Sequence, residues 1–370
     1  MNSHYKVALV TDWLTNLGGG EKVLEAISDL FPSAPLFTTV VNHKNIGKLS
    51  QRKIIPSFLQ KIPVLKNHHQ FLLPLLPLAI ESFDLSSYDL VISFSSSIAK
   101  SVLTHPHQIH ICYIHSPMRY AWEPFFDKRF SSFPKIFHPA IHLLLHSLRN
   151  WDQVSSLRPD LYITNSSTTE KRVQKYYNRD SKILYPPVDI SEYPLHTEKK
   201  EYYLGLGRMV SYKKFDLLVE TFRYFPEKTL VLIGDGPERK RLSKIIEKCP
   251  NILLKTSVSH AEKVRLYQEA KAFILPQKED AGIVQLEACS TGTPVIAFQE
   301  GGALDVIQEG INGVFFQEQT KESLIDAVLR FEQMCFQPEK VRESVACYDL
   351  KVFQKKFLEM VEEFGYSCKY

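Results

Sequence analysis

The sequence predicts an α/β protein of two Rossmann-like, doubly wound domains facing each other across a cleft. Three observations carry this. Short apolar runs alternate with amphipathic stretches almost from end to end, the pattern of parallel strands joined by crossover helices. The 370 residues exceed one ordinary core and suit two. A turn-rich, charged stretch at 185–203, "YPPVDISEYPLHTEKKEYY", interrupts the alternation, which then starts again. The expected division is an N-terminal domain over 1–190, a C-terminal domain over 191–345 and a final helix over 346–370 that crosses back to the first domain.

In the first half, apolar runs predict strands at Lys6 to Val10, Leu36 to Val40, Leu90 to Phe94, Ile109 to Ile114, Leu161 to Asn165 and Ile183 to Tyr185. Helices are expected between them at Glu21 to Phe31, Ile98 to Leu103, Pro139 to Val154 and Thr168 to Tyr176. The second half predicts strands at Tyr202 to Gly205, Leu230 to Ile233, Ile252 to Lys255, Ala272 to Leu275, Pro294 to Ala297 and Gly313 to Phe316. Its helices are expected at Phe215 to Phe222, Arg239 to Cys249, Ala261 to Ala270, Ile283 to Ser290 and Lys321 to Glu332. In the tail, Leu350, Phe353, Phe357, Met360 and Val361 recur at helical intervals and define one apolar face.

Composition narrows the function class. Hydrophobic residues make up 44% and charged residues 23% of the chain, as in a globular enzyme. A net charge of +4, from 45 basic and 41 acidic residues, argues against a broad nucleic-acid surface. The six cysteines form no CxxC pair and no metal-like Cys/His spacing, which favours a reducing, cytoplasmic setting. The apolar stretch near the N-terminus is short and reads as a first strand, not a signal peptide. The most apolar run, Phe71 to Ile80, has about half the length that a bilayer span requires.

Unusual residues gather where ligands bind open α/β sheets, after the carboxyl ends of strands. In "TDWLTNLGGGEKVLEAI", Gly19 and Gly20 stand at a helix start, where free N–H groups attract phosphate or a sugar hydroxyl. The spacing is not that of a dinucleotide fingerprint, and a flexible turn reads the same way. In "GLGRMVSYKKFDLL", Gly207 ends a strand, and Arg208 and Lys213 follow as two cations suited to a diphosphate. A solvated basic turn is the alternative. "VLIGDGPERKRL" repeats the arrangement with Gly234. In "QKEDAGIVQLEACSTGTPVIAF", Glu279 and the amides around Asp280, Ala281, Gly282 and Ile283 lie between a strand end and a helix start, where a hexose can be held. Glu287, one turn into that helix, suits the vicinal hydroxyls of a ribose. Spacing alone fits surface acids equally well. In "HICYIHSPMRYAWEP", His115 directly follows a strand and faces the choice between a structural role and a sugar contact.

Assembled, these motifs resemble the retaining nucleotide-sugar glycosyltransferases of the GT-B fold, the glycosyl transferases group 1 / family 4 class. "GGGEKV", "HSPMRYAW", "GLGRMVSYKKFDLL", "GDGPE", the Glu279-x7-Glu287 pair and "EGGALDVI" carry the likeness, which runs from about Lys6 to Phe316. "SSYDLVISFSSSIAKSV" and "HSPMRYAW" look like the bacterial surface-polysaccharide branch, including O-antigen mannosyltransferases. The resemblance implies hexose transfer, with retention and without a metal or other cofactor, from a nucleotide-sugar donor to a lipid-linked or oligosaccharide acceptor. GDP-mannose is the expected donor.

By position, the resemblance assigns Arg208 and Lys213 to the leaving diphosphate, Glu287 to the ribose, and Glu279 with its neighbouring amides to the hexose. It also assigns His115 to the sugar near the reacting carbon, and Gly19 and Gly20 to the diphosphate or acceptor side. Two departures stand out. Ala281 occupies a position often aromatic in the family, and Asp305 replaces a more usual glutamate. Aromatic, leucine-rich and basic segments at 58–76 and 130–151 suit either core packing or peripheral contact with the inner face of an anionic membrane. An epimerase or hydrolase of the same architecture, or a non-catalytic nucleotide-sugar binder, are the competing expectations.

Overall fold

The structure, a computed structural model, describes residues 5–62, 73–123 and 134–367. The chain divides into two units, Met1–Pro186 with Gln354–Tyr370, and Pro187–Phe353. The first contains β1 (Val7–Thr11), β2 (Leu36–Thr38), β3 (Ile54–Pro56), β4 (Leu90–Ser95), β5 (Ile109–Ile114), β6 (Leu161–Thr164) and β7 (Lys182–Ile183). They form a parallel sheet in the order β3-β2-β1-β4-β5-β6-β7. The second contains β8 (Lys200–Leu206), β9 (Thr229–Ile233), β10 (Ile252–Lys255), β11 (Ala270–Leu275), β12 (Val295–Phe298) and β13 (Gly313–Phe316), also all parallel, in the order β10-β9-β8-β11-β12-β13.

Each sheet therefore reverses its winding beside its first strand, between β1 and β4 and between β8 and β11. In open parallel sheets the loops leaving such strands part at that point, which is where ligands bind. The near-continuous apolar strands follow from burial on both faces. In β9, Leu230 and Leu232 enter one core with Phe222, Phe316 and Val328, while Val231 and Ile233 enter the opposite one with Tyr267, Leu286 and Ala297.

The helix from Leu350 to Ser367 buries Phe353, Phe357 and Val361, which share the apolar face read from the tail. Its later turns belong to the first unit, where Gln354 donates to the Ala26 carbonyl at 2.8 Å and Lys182 pairs with Glu363 at 2.6 Å.

Three local expectations need correction. The three-residue β3 is absent from the sequence reading because it is short, at a sheet edge and only partly buried. The stretch 185–203 is not all linker, since Lys200 already begins β8 and Tyr193 and Tyr202 are core residues. The helix expected from Ile98 to Leu103 is one 3₁₀ turn, Ala99–Ser101. There the amides of Ser96, Ile98 and Ala99 point to the Asp12 carboxylate at 2.6–2.7 Å, and Lys100 is drawn inward to Asp152 at 2.5 Å. Tertiary partners thus take what a longer helix would need.

Among the described residues no helix is long and apolar enough to cross a membrane. The apolar run at 71–80 lies partly outside the described residues; its remainder enters the helix Leu76–Glu81, where Leu76, Ala79 and Ile80 are buried.

Candidate functional site

In the second unit, the loops after β8 and β11 leave the sheet on either side of the winding reversal. Residues 207–214 form the first. The Gly207 amide donates to the Ile233 carbonyl at 3.0 Å and that of Met209 to Asp235 at 2.9 Å, so this loop lies along the "GDGP" turn. Only glycine permits the approach. A Cβ at Gly234 would stand 1.9 Å from the Gly207 carbonyl oxygen, and one at Gly236 2.4 Å from that of Met209. Lys214 takes a left-handed conformation, φ 54°, where the turn Ser211–Lys213 passes into the helix Phe215–Phe222. That geometry costs a non-glycine residue about 1 kcal/mol, a cost that the surrounding fold must offset.

The loop after β11 is clasped from its other side. The Gly302 amide donates to the Glu279 carbonyl at 2.8 Å, and Glu279 bridges Gly301 as a single parallel β-pair. A Cβ at Gly302 would lie 2.7 Å from the Asp280 and Ala281 carbonyl oxygens. Gly282, at φ 76°, is the N-cap of the helix Ile283–Ser290 and directs the chain into it. Gln285, fully buried in this helix, donates to Ala281 at 3.0 Å and Gly302 at 3.1 Å. The clasp holds Asp280, Ala281, Gly282 and Ile283 at the helix amino end, the end whose dipole favours an anion or hydroxyl.

The two loops meet through side chains. The Lys213 ammonium pairs with the Glu279 carboxylate, which also accepts from the Gln277 amide at 2.8 Å. Both members of the pair are partly buried. A cation and an acid carried by different strands thus occupy one spot beside the reversal. Arg208, by contrast, is exposed and has no side-chain partner among the described residues. Its guanidinium remains available to an incoming anion.

Glu287 sits deeper, 3% exposed. Its carboxylate accepts from Lys263 at 3.2 Å to each oxygen and from the Tyr267 hydroxyl at 3.2 Å. Burial, and then the Glu287 charge, push the Tyr267 hydroxyl well above its ordinary value, so it stays a donor. Asp305 lies in the short helix Ala303–Val306.

In the first unit, Gly19 and Gly20 open the helix Gly19–Ser28, and the Gly18 amide donates to the Glu21 carboxylate at 2.8 Å. His115 follows β5 and lies close enough that a Cβ on Gly20 would come 3.2 Å from its Nε2. Its ring packs 5.2 Å from that of Tyr113. Loss of water holds the His115 imidazole down to about 4, so it is neutral at physiological pH, with one ring nitrogen a donor and the other an acceptor. Asp12, accepting from Ser96, Ile98 and Ala99, ties the loops after β1 and β4 together. Among the described residues no group of His, Cys, Asp and Glu could hold a metal ion.

The structure thus brings Lys213 to Glu279 and Gly20 to His115, and leaves Arg208 apart. Sequence reasoning passed over Gln277, Gln285, Lys263 and Tyr267. The signal for Gln285 was a lone amide in the otherwise apolar opening "IVQL"; a lysine on an amphipathic helix gives none.

Comparison with known proteins fits this geometry. Residues 189–345 match the sequence model of the family described as Glycosyl transferases group 1. The second unit carries a glycosyl transferases group 1 domain. The chain is 34% identical over 122 residues to the sulfoquinovosyl transferase SQD2 of Arabidopsis thaliana, covering 32% of this chain and 24% of that one. It is 30% identical over 152 residues to a GDP-mannose-dependent alpha-(1-6)-phosphatidylinositol monomannoside mannosyltransferase of Mycobacterium tuberculosis, covering 35% and 40%. The chain therefore spans less than half the length of either. Along nearly its whole length it is similar in fold to Anabaena Alr3699/HepE, solved with UDP-glucose: TM-score 0.69 at 17% identity, covering 97% of this chain and 100% of that one. The fold is α/β with two parallel-sheet domains, matching the GT-B structures. The group 1 domain contains Arg208, Lys213, Glu279 and Glu287, whereas Gly19, Gly20 and His115 lie outside the matched residues.

Proposed function

We propose that the protein is a retaining hexosyltransferase that moves a hexose, mannose first among them, from a nucleotide-sugar to a lipid-linked or saccharide acceptor in surface-polysaccharide biosynthesis. The observation that carries this reading is the pairing of Lys213 with Glu279 where the second sheet reverses its winding. Breaking a sugar–phosphate bond leaves negative charge on the nucleoside diphosphate and positive charge on the sugar ring. Lys213 and Arg208 stabilise the first, each charge-assisted hydrogen bond contributing about 1.5–3 kcal/mol. Glu279 and the amides of Asp280 to Ile283 hold the hexose, Glu287 takes the ribose hydroxyls, and His115 hydrogen-bonds the sugar. The acceptor attacks from the leaving group's side and the departing diphosphate takes its proton, so neither a protein nucleophile nor a metal is needed. The names of the relatives, which include a GDP-mannose-dependent mannosyltransferase, support GDP-mannose as donor; the UDP-glucose complex of the structural neighbour keeps UDP-sugars in the test.

Thermal-shift screening of GDP- and UDP-sugars is expected to give stabilisation by one nucleotide class, because a ligand that binds only the folded chain raises its melting temperature. Glu287→Ala is expected to lose most of that shift; a shift equal to wild type would remove Glu287 from the site. Product analysis with the stabilising donor then tests the chemistry. A new glycoside supports the transferase, an altered free sugar indicates an epimerase or hydrolase, and unchanged donor indicates a binder.

Peripheral membrane contact is a further part of this reading. Ile136, Phe137, Leu143, Val154 and Leu157 are exposed on and beside the helix His138–Ser155, with Lys135 next to them. The proposal expects sedimentation with anionic liposomes, reduced by salt and by Phe137→Ser/Leu143→Ser. Equal recovery with and without liposomes would refute it.

A further inference from the structure

We infer that Lys263 is a positioning residue for nucleotide binding: with Tyr193 and Tyr267 it holds and orients the Glu287 carboxylate toward the nucleoside. This deepens the reading above and rests on Glu287 as the ribose contact.

The argument starts from burial. A carboxylate with a side chain 4% exposed keeps its charge only when paired and hydrogen-bonded. Lys263 provides the pairing, with its ammonium 3.2 Å from both carboxylate oxygens. The same ammonium donates to the Tyr193 hydroxyl at 2.9 Å and lies 5.3 Å from the Tyr193 ring centre. Tyr267, one helical turn after Lys263 on the helix His260–Glu269, donates to Oε2 and is itself fully buried. Burial, and then the Glu287 charge, hold the Tyr193 hydroxyl above its ordinary value, so it keeps its proton.

The frame around these groups is fixed. The Ser259 side chain caps the helix that carries Lys263. Arg342 donates to the carbonyls of Tyr193, at 2.6 Å, and of Ser290, joining the Tyr193 segment to the end of the Glu287 helix. A carboxylate offers about four acceptor directions. Lys263 and Tyr267 come from one helix and Tyr193 from the segment before β8, so groups from two separate elements fix the orientation of the carboxylate.

Without Lys263 the acid would be buried beside two neutral phenols. It would take up a proton more readily, and a protonated acid loses acceptor capacity for ribose hydroxyls. Donor affinity should then depend on pH, present when the acid is ionised and lost as pH falls. Other charged or titratable groups near this helix are His260 and Glu192 beside Tyr193, Arg342 on Pro338–Glu343, Asp305 on Ala303–Val306, and Glu279 and Asp280 in the preceding loop. All are common to the wild type and the variant, so the difference between their pH profiles reports Lys263.

The test is calorimetric titration of the full chain with GDP and with UDP between pH 5.5 and pH 8. Lys263→Met is expected to weaken the nucleotide that wild type binds by about tenfold or more, the loss growing toward pH 5.5, and Lys263→Arg to restore most of it. Tyr267→Phe, which removes one neutral donor, should show a smaller loss in the same direction and serves if Lys263→Met does not fold. Wild-type affinity and an unchanged pH profile in Lys263→Met, or in Tyr267→Phe where only that variant folds, overturn the inference. Glu287→Gln separates the two levels. If it weakens binding while Lys263→Met does not, only the positioning role fails; if it binds as wild type, the ribose assignment itself fails.

Discussion

Replacing Lys213 with alanine is expected to lower kcat about 10²–10³-fold while leaving the melting temperature near that of wild type. The magnitude is that of removing one fixed donor from a charge that develops in the transition state. The small stability effect follows from the pair's partial exposure, since such ion pairs contribute about 1 kcal/mol or less. Glu279 does not become an orphan in the variant, because Gln277 still donates to it at 2.8 Å. The expected signature is therefore a loss of turnover that exceeds any change in KM. Arg208→Ala should act in the same direction, since the exposed guanidinium has nothing structural to lose. Wild-type turnover in Lys213→Ala would leave the Lys213–Glu279 pair as a surface contact.

A second large effect is expected on the stability of the first unit. Lys100 and Asp152 are both fully buried and pair at 2.5 Å. The other Asp152 oxygen accepts from Trp122 Nε1 at 2.6 Å and Tyr177 at 2.8 Å, while Lys100 also donates to Ser101 at 3.2 Å and Ser155 at 3.4 Å. This network ties the turn after β4 to the helices His138–Ser155 and Ser167–Tyr177. Lys100→Met leaves a buried carboxylate without its counter-charge, which typically costs about 3–5 kcal/mol. In a unit of this size that corresponds to a fall of about 10 °C in the melting temperature. Lys100→Met/Asp152→Leu should recover much of the loss, because removing both charges removes the desolvation penalty as well. Calorimetry of the two variants decides it, and equal melting temperatures for Lys100→Met and wild type would contradict the account.

Much of the fold was legible because it rests on local pattern. β5, β10 and β13 and the helices Phe215–Phe222, Ile283–Ser290 and Lys321–Glu332 have the bounds that their apolar runs and flanking turns define. β5 and β13 are buried on both faces, β10 lies at a sheet edge with Leu253 exposed, and all three are bounded by Gly, Pro or polar turns, so tertiary structure had little to override. Where it did override, the causes are specific. Lys100 sits in a stretch that reads as an ordinary helix turn, and only the burial of Asp152, 52 residues away, explains its inward course.

The candidate site divides in the same way. Gly234 announces close backbone approach, and Lys213 and Glu279 announce charge at strand ends. Their meeting depends on β8 and β11 being neighbours, which the order of strands in the chain does not reveal. The Lys263–Glu287 contact was illegible for a related reason. It joins residues 24 positions apart on two helices, and "HAEKVRLYQE" alone suggests a lysine in solvent.

The most direct measurement is the affinity of the chain for a nucleoside diphosphate against the corresponding monophosphate, in wild type, Arg208→Ala and Lys213→Ala. If the two cations grip the departing diphosphate, wild type binds the diphosphate more tightly, and each substitution reduces that preference by about tenfold or more while leaving monophosphate binding nearly unchanged. An undiminished diphosphate preference in both variants would contradict the claim.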